Sequence, residues 1–209
     1  MEVKPAAVVM GRTRIGLESF DILCRQLFVL SDSPLGAILL SGITRATEWV
    51  EGLPDAATAE SLRELPVQHD GRTMPFDTLA REAVWRVTGK HSWRGTDPVA
   101  LVLGWTFESE YWSRQPIVRM TSAALANATG LAPVAGYLSF ADVASNRQAV
   151  ASMKAARAKS QLEEPLDPAL SAAEELEGRL LWLQRFLSGS APAVIPAAES
   201  EAAWSPLAQ

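Results

Sequence analysis

Phe76, Leu79, Ala80, Ala83, Val84 and Val87 recur at i, i+3, i+4, i+7, i+8 and i+11. That spacing draws one apolar stripe along a helix and requires a core for the stripe to face. The flanks agree with it. Pro75 suits a first helical turn, Asp77 stands where the helix dipole favours an acid, and Gly89 is a natural stop. Glu82 and Arg86 are four residues apart on the outer face and make a favourable pair. Trp85 lies beside the stripe and is expected to cover its edge.

Other segments read the same way. Thr96-Asp97-Pro98 offers a capping residue followed by Pro, and Val99–Trp105 is apolar nearly all round, which predicts a buried helix. Thr58–Glu64 and Thr121–Ala128 read as short helices, the latter ending at Gly130. Trp112 and Pro116 frame a short extended run, Ile117–Met120, and Pro133–Phe140 is loop or short strand. Asp142–Leu162, free of Gly and Pro, predicts one long helix. After Pro165 and Pro168 a last helix over Ala169–Leu187 aligns Leu176, Leu180, Leu183 and Leu187. The first sixty residues suggest helices over Leu17–Leu30 and Leu35–Val50. From Ser188 the chain turns rich in Pro, Ala and Ser, and irregular structure pinned by Trp204 is expected. The fold class is mainly α, an irregular helical domain with long C-terminal helices and at most a few short strands. Its organisation reads as an N-terminal helical extension (1–60), a helical domain (61–189) and a tail (190–209).

Composition narrows the class of protein. The 209 residues are 48% hydrophobic and 21% charged, with a net charge of -5, as in a soluble globular domain with a real core. No apolar stretch reaches the length of a membrane span. The apolar patch Ala6–Met10 is too short for a secretory signal. The acidic balance argues against a nucleic-acid partner. Arg147, Lys154, Arg157 and Lys159 precede Glu163, Glu164, Asp167, Glu174, Glu175 and Glu177. The plain reading is two solvated helices whose opposite charges face each other, and the sharper one is a basic strip for an acidic partner or lipid headgroups.

Chemistry-bearing patterns are sparse. The single cysteine, Cys24, excludes an intrachain disulfide and a multi-thiolate metal site and reads as a buried thiol. His69 and His91 lie in Gly-containing connections and read as exposed or hydrogen-bonding loop residues. The nucleophile elbow, phosphate loop and dinucleotide fingerprint are missing. Glu108/Glu110 and Glu174/Glu175 read as solvated surface. A small hydrolase or transferase assembled from His69, Asp70, Arg72 and His91 is the enzymatic alternative, and a helical interaction module is the blander one. Seven tryptophans stand against two tyrosines, with Trp85, Trp93, Trp105 and Trp112 close together. They read as core or core-rim anchors, with a flat aromatic surface for a haem edge or a peptide as the alternative.

An ordered succession of short motifs runs through the remainder. Leu65-Pro66-Val67-Gln68 precedes Gly71-Arg72, Pro75 and Thr78-Leu79-Ala80. Then come Thr88-Gly89-Lys90, Asp97-Pro98, Leu103-Gly104, Trp112, Pro116-Ile117, Tyr137-Leu138-Ser139-Phe140 and the late Trp204. Over Leu65–Gln209 the chain resembles the extracytoplasmic region of fused ResB/CcsA cytochrome c biogenesis proteins. The resemblance implies a non-catalytic scaffold or partner-docking portion on the outer face of the inner membrane. Its partners would be apocytochrome c or the membrane subunits of the maturation system. Haem would be handled by histidines and a Trp-rich motif of the membrane part, which this chain lacks, so no catalytic, cofactor-binding or metal-binding role carries to any position here. By their own chemistry, Gly71-Arg72 make a tight turn into the helix near Pro75. Arg72 is placed to bond backbone carbonyls or a carboxylate, and Gln68 to tie the same loop down.

Overall fold

A computed structural model describes residues 52–195 and 204–206. The N-terminal helices expected over Leu17–Leu30 and Leu35–Val50, and Cys24 with them, lie outside the described residues. Within the described residues the fold is mainly α. Eight helices surround one apolar core, with a few short antiparallel strands at its margin.

Helix α1 (Ala56–Leu62) is capped by Asp55, whose carboxylate accepts from Thr58 N. It leads into a hairpin of β1 (Pro66–His69) and β2 (Arg72–Pro75), registered Pro66 to Pro75 through His69 to Arg72. Helix α2 (Phe76–Thr88) starts directly from β2 and stops at Gly89, which is left-handed at φ 68. Its whole apolar stripe is buried. Trp85 does not cover the stripe's edge as expected: it is 49% exposed. One residue beyond Val84, its position on the helix is turned away from the core.

Helix α3 (Pro98–Phe107) is buried from Pro98 to Trp105. Its cap is Asp97, whose side chain accepts from Val99 N and Ala100 N. A short helix, α4 (Ser109–Ser113), carries the buried Trp112, and β3 (Val118–Arg119) follows. Helix α5 (Ala123–Thr129) runs from the Ser122 cap to left-handed Gly130. β4 (Tyr137–Leu138) pairs with β3, Val118 to Leu138 and Arg119 to Tyr137.

The single helix predicted over Asp142–Leu162 is in fact two, α6 (Phe140–Ser145) and α7 (Arg147–Gln161). Asn146 separates them. Its backbone is extended, its Oδ1 accepts from Ala149 N, and its Nδ2 donates to Thr129 O. A side-chain amide that satisfies free main-chain groups competes with helix continuation, which is why an uninterrupted run of helix formers breaks there. Helix α8 (Pro168–Leu187), capped by Asp167, packs along α7 and buries Leu176, Leu180, Leu183 and Phe186. Arg157 on α7 pairs with Glu177 on α8, and Ser160 donates to Glu174 at 2.5 Å. The plain reading of the opposite charges therefore describes these two helices.

Where irregular structure was expected after Ser188, two strands form, β5 (Ala193–Ile195) and β6 (Ser205–Pro206). They extend the hairpin into a four-stranded sheet ordered β2-β1-β5-β6, with Gln68 opposite Ala193. Short Ala- and Pro-rich strands carry little period-2 signal, so their pairing depends on the edge that β1 presents. At the other end, α1 spans both sides of position 60.

Candidate functional site

The motif-bearing residues lie along the β1–β2 hairpin and the elements that close on it. Val67 is fully buried under the hairpin. Asp70 and Gly71, both left-handed at φ 48 and 74, make the two-residue turn. An Asp-Gly pair is the usual solution where both central residues take positive φ. Pro66 opens β1, and Pro75 ends β2 as the N-cap of α2. Leu79 is in the core, while Thr78 faces solvent. Gln68 does not tie the hairpin loop down. Its Oε1 instead accepts from Trp204 N at 2.8 Å, which fastens β1 to the last strand. Arg72, expected to bond a carbonyl or a carboxylate, is exposed on edge strand β2 and makes neither bond among the described residues.

Trp112 lies on α4, which packs against α3, and Pro116 follows that helix in the chain. The Trp112 indole N–H donates to Gly52 O at 2.8 Å. Gly104 lets the two meet: a Cβ there would stand 2.5 Å from Gly52 O and 2.6 Å from Trp112 Nε1. The Leu103-Gly104 and Trp112 motifs thus describe one close approach.

Sequence reasoning missed an ion cluster at the end of α1. Arg63 reaches Glu60 at 3.0 Å, Asp97 at 2.8 Å and Asp77, which also accepts from Arg81 at 2.6 Å. Asp77 and Asp97 stand at the N-termini of α2 and α3, where the helix dipoles favour their charge. Hydrogen bonding from Arg81, helped by Arg63, holds the Asp77 carboxyl below its ordinary value. At Asp97 burial opposes ionisation, but the Arg63 bond and the backbone N–H groups of Ala100 and Val99 outweigh it and the carboxyl is lowered too. The same partners, Asp97 first and then Glu60, raise the Arg63 guanidinium. A hollow of about 410 Å3 lies beside the cluster, bordered by Arg63, Asp97, Thr96 and Arg94. The sequence signal was present: two helix-start acids and one Arg at the exit of the preceding helix.

His69 departs from the expected exposed or hydrogen-bonding loop residue. It ends β1, is 8% exposed, and lies against Trp182 with ring centroids 5.0 Å apart. Its Nε2 stands 3.3 Å from an Asp70 carboxylate oxygen without hydrogen-bond geometry. The alternation of β1 places it on the buried face with Val67, a two-residue period hidden by the adjacent Asp70-Gly71. Trp182 continues an array on the outside of α2 and α8. Arg86 lies 5.4 Å from the Trp182 ring and 5.9 Å from Trp85, and Arg185 lies 5.9 Å from Trp182. Arg179 anchors the two helices by donating to Arg86 O at 2.7 Å. A shallow hollow of about 510 Å3 follows α8 there, past Gly178, Leu181 and Trp182. Of the clustered tryptophans, Trp93, Trp105 and Trp112 are buried anchors.

The residues of the enzymatic alternative are only partly brought together. His69, Asp70 and Arg72 share the hairpin turn, whereas His91 is exposed beyond α2 and no hydrogen bond or ion pair joins it to them among the described residues. Among the described residues, no group of three His, Cys, Asp or Glu side chains could hold a metal ion. No helix among them is long and apolar enough to cross a membrane. Glu108, read as solvated surface, is half-buried, and burial pushes its carboxyl up. No protein-family model matches the chain, and no curated protein is significantly similar to it.

Proposed function

We propose that this chain is the extracytoplasmic scaffold portion of a cytochrome c biogenesis system, holding apocytochrome c or a membrane subunit near the place where haem is attached. Haem is a substrate of the whole assembly in this reading, and its ligands belong to the membrane part. What supports it is the ordered set of motifs from Pro66 to Trp204. The observation that carries most weight is that its first and last members are bonded to each other, Gln68 Oε1 to Trp204 N at 2.8 Å. A motif series whose ends meet belongs to one folded unit. The half-exposed Trp85, with Arg86 and Trp182 beside it, has the residue types that dominate binding energy at protein interfaces.

The test is genetic and biochemical. Deleting the coding region for this chain abolishes covalent haem on c-type cytochromes while the apoproteins are still made. Immobilised full-length chain retains an apocytochrome c peptide. Unchanged haem staining in the deletion strain overturns the reading, and failure to retain the peptide removes the presenting role.

A further inference from the structure

Two tight turns stand side by side at the C-terminal end of α2. One is Trp93-Arg94-Gly95-Thr96, with φ 51 at Arg94 and 79 at Gly95. The other is Val134-Ala135-Gly136-Tyr137, with φ 51 at Ala135 and 85 at Gly136, closed by reciprocal hydrogen bonds of 2.8 and 3.0 Å. The rings of Trp93 and Tyr137 lock them together edge to face, with centroids 4.5 Å apart.

Two exposed cations lie against this ring pair and a third, Arg119, stands beside it. Lys90 Nζ lies 5.9 Å from the Trp93 ring and 5.6 Å from Tyr137, and Arg94 lies 5.4 Å from Trp93. Arg119 pairs with Tyr137 across β3–β4 and lies over Gly89, its Cδ and Nη1 2.6 Å from where a Cβ would stand. None of the three has a carboxylate partner among the described residues, although the protein carries net charge -5. Beside them, Gly130 to Gly136 contains no polar side chain, and Val134 at the second turn is 68% exposed.

We propose that these turns form a docking face for an anionic bilayer surface. An exposed apolar tip, an aromatic base and unpaired cations match the layers of a membrane interface. The tip meets the acyl boundary and the cations the phosphates, while buried Trp93 and half-buried Tyr137 form the base beneath them. Packing on Trp93 and Tyr137 already restrains Lys90 and Arg94, so less freedom is lost on contact. An acidic polypeptide would use the cations but leave Val134 without a role. The overall negative charge repels an anionic vesicle, so attraction must come from a local face. This docking face goes beyond the scaffold role proposed above, and no cytochrome enters its test.

The full chain is sedimented with vesicles of phosphatidylglycerol and phosphatidylcholine, and with phosphatidylcholine alone. Binding is expected on the anionic vesicles only, weakening as salt rises. Lys90→Ala with Arg94→Ala lowers affinity about 25-fold, from roughly fivefold per cation. Val134→Asp abolishes binding, whereas Lys154→Ala on α7 changes nothing. Circular dichroism verifies that each variant is folded. No binding, equal binding to neutral vesicles, or equal losses from Lys90→Ala and Lys154→Ala overturns the proposal. So does tighter binding of polyglutamate than of anionic vesicles, which assigns the face to an acidic protein.

Discussion

Gln68 and Trp204 meet at 2.8 Å, a side-chain carboxamide on the first strand accepting from the main chain of the last. The bond is one of the few ties holding β6 to the rest of the sheet, and half-burial makes its loss costly. Gln68→Ala is expected to cost about 1 kcal/mol and to make the chain at Trp204–Pro206 the first site of limited proteolysis. Gln68→Glu keeps an acceptor oxygen and stays protected. Equal cleavage of the two variants, followed by mass spectrometry of the fragments, would assign the protection to strand pairing alone.

Arg63 joins the exit of α1 to the starts of α2 and α3, and it is only partly screened by solvent. Arg63→Met leaves Asp77 with Arg81 and Asp97 with its cap bonds, and is expected to cost about 2 kcal/mol, between exposed and buried ion pairs. The pH dependence has a defined sign. Asp77 and Asp97 are lowered in the fold, so their contribution is present above their ordinary carboxylate value and lost as pH falls through the depressed one. Urea titrations across the acid range should show a flatter acid limb in Arg63→Met. Glu108 runs the other way: raised by burial, its contribution is lost as pH rises through the folded value. Glu108→Gln therefore stabilises near neutrality and leaves acid stability unchanged.

Gly104 is the position where backbone and indole approach most closely. Gly104→Ala forces a methyl against Gly52 O and Trp112 Nε1, and about 2–3 kcal/mol is expected to be lost as the bond between them breaks. The melting temperature falls and tryptophan emission shifts to the red. Retention of the wild-type emission would show that the contact is readily rearranged.

Trp105 is fully buried and its indole N–H has no partner among the described residues. Two effects oppose each other on truncation. Trp105→Phe removes an unsatisfied donor, worth about 1–3 kcal/mol, and opens a modest void against Phe186. The net change is expected within about 1 kcal/mol, whereas Trp105→Ala costs about 3–5 kcal/mol. Denaturant unfolding of both variants checks the contrast.

The helices that face the core were legible because period and cap agree. Phe76 to Val87 with Gly89 marks α2, Asp97-Pro98 marks α3, and the Leu176–Leu187 face after the break at Pro168 marks α8. What escaped depends on partners remote in sequence. Asn146 breaks a helix because Thr129 O is there to accept from it. Ala193–Ile195 is a strand because Gln68 offers an edge. The burial of His69 follows from Trp182 on a helix more than a hundred residues away. Individual motif residues could be named from the sequence, but not the Arg63 cluster or the paired turns, whose members meet only in three dimensions.

The place of β1 between β2 and β5 has a consequence for the newborn chain. Its first edge is satisfied within a few residues by the adjoining hairpin arm. The second must wait until helices α2 to α8 have left the ribosome. During that interval a naked strand edge is open to mispairing or to a chaperone, and yield in cells should be governed by how quickly that edge is covered.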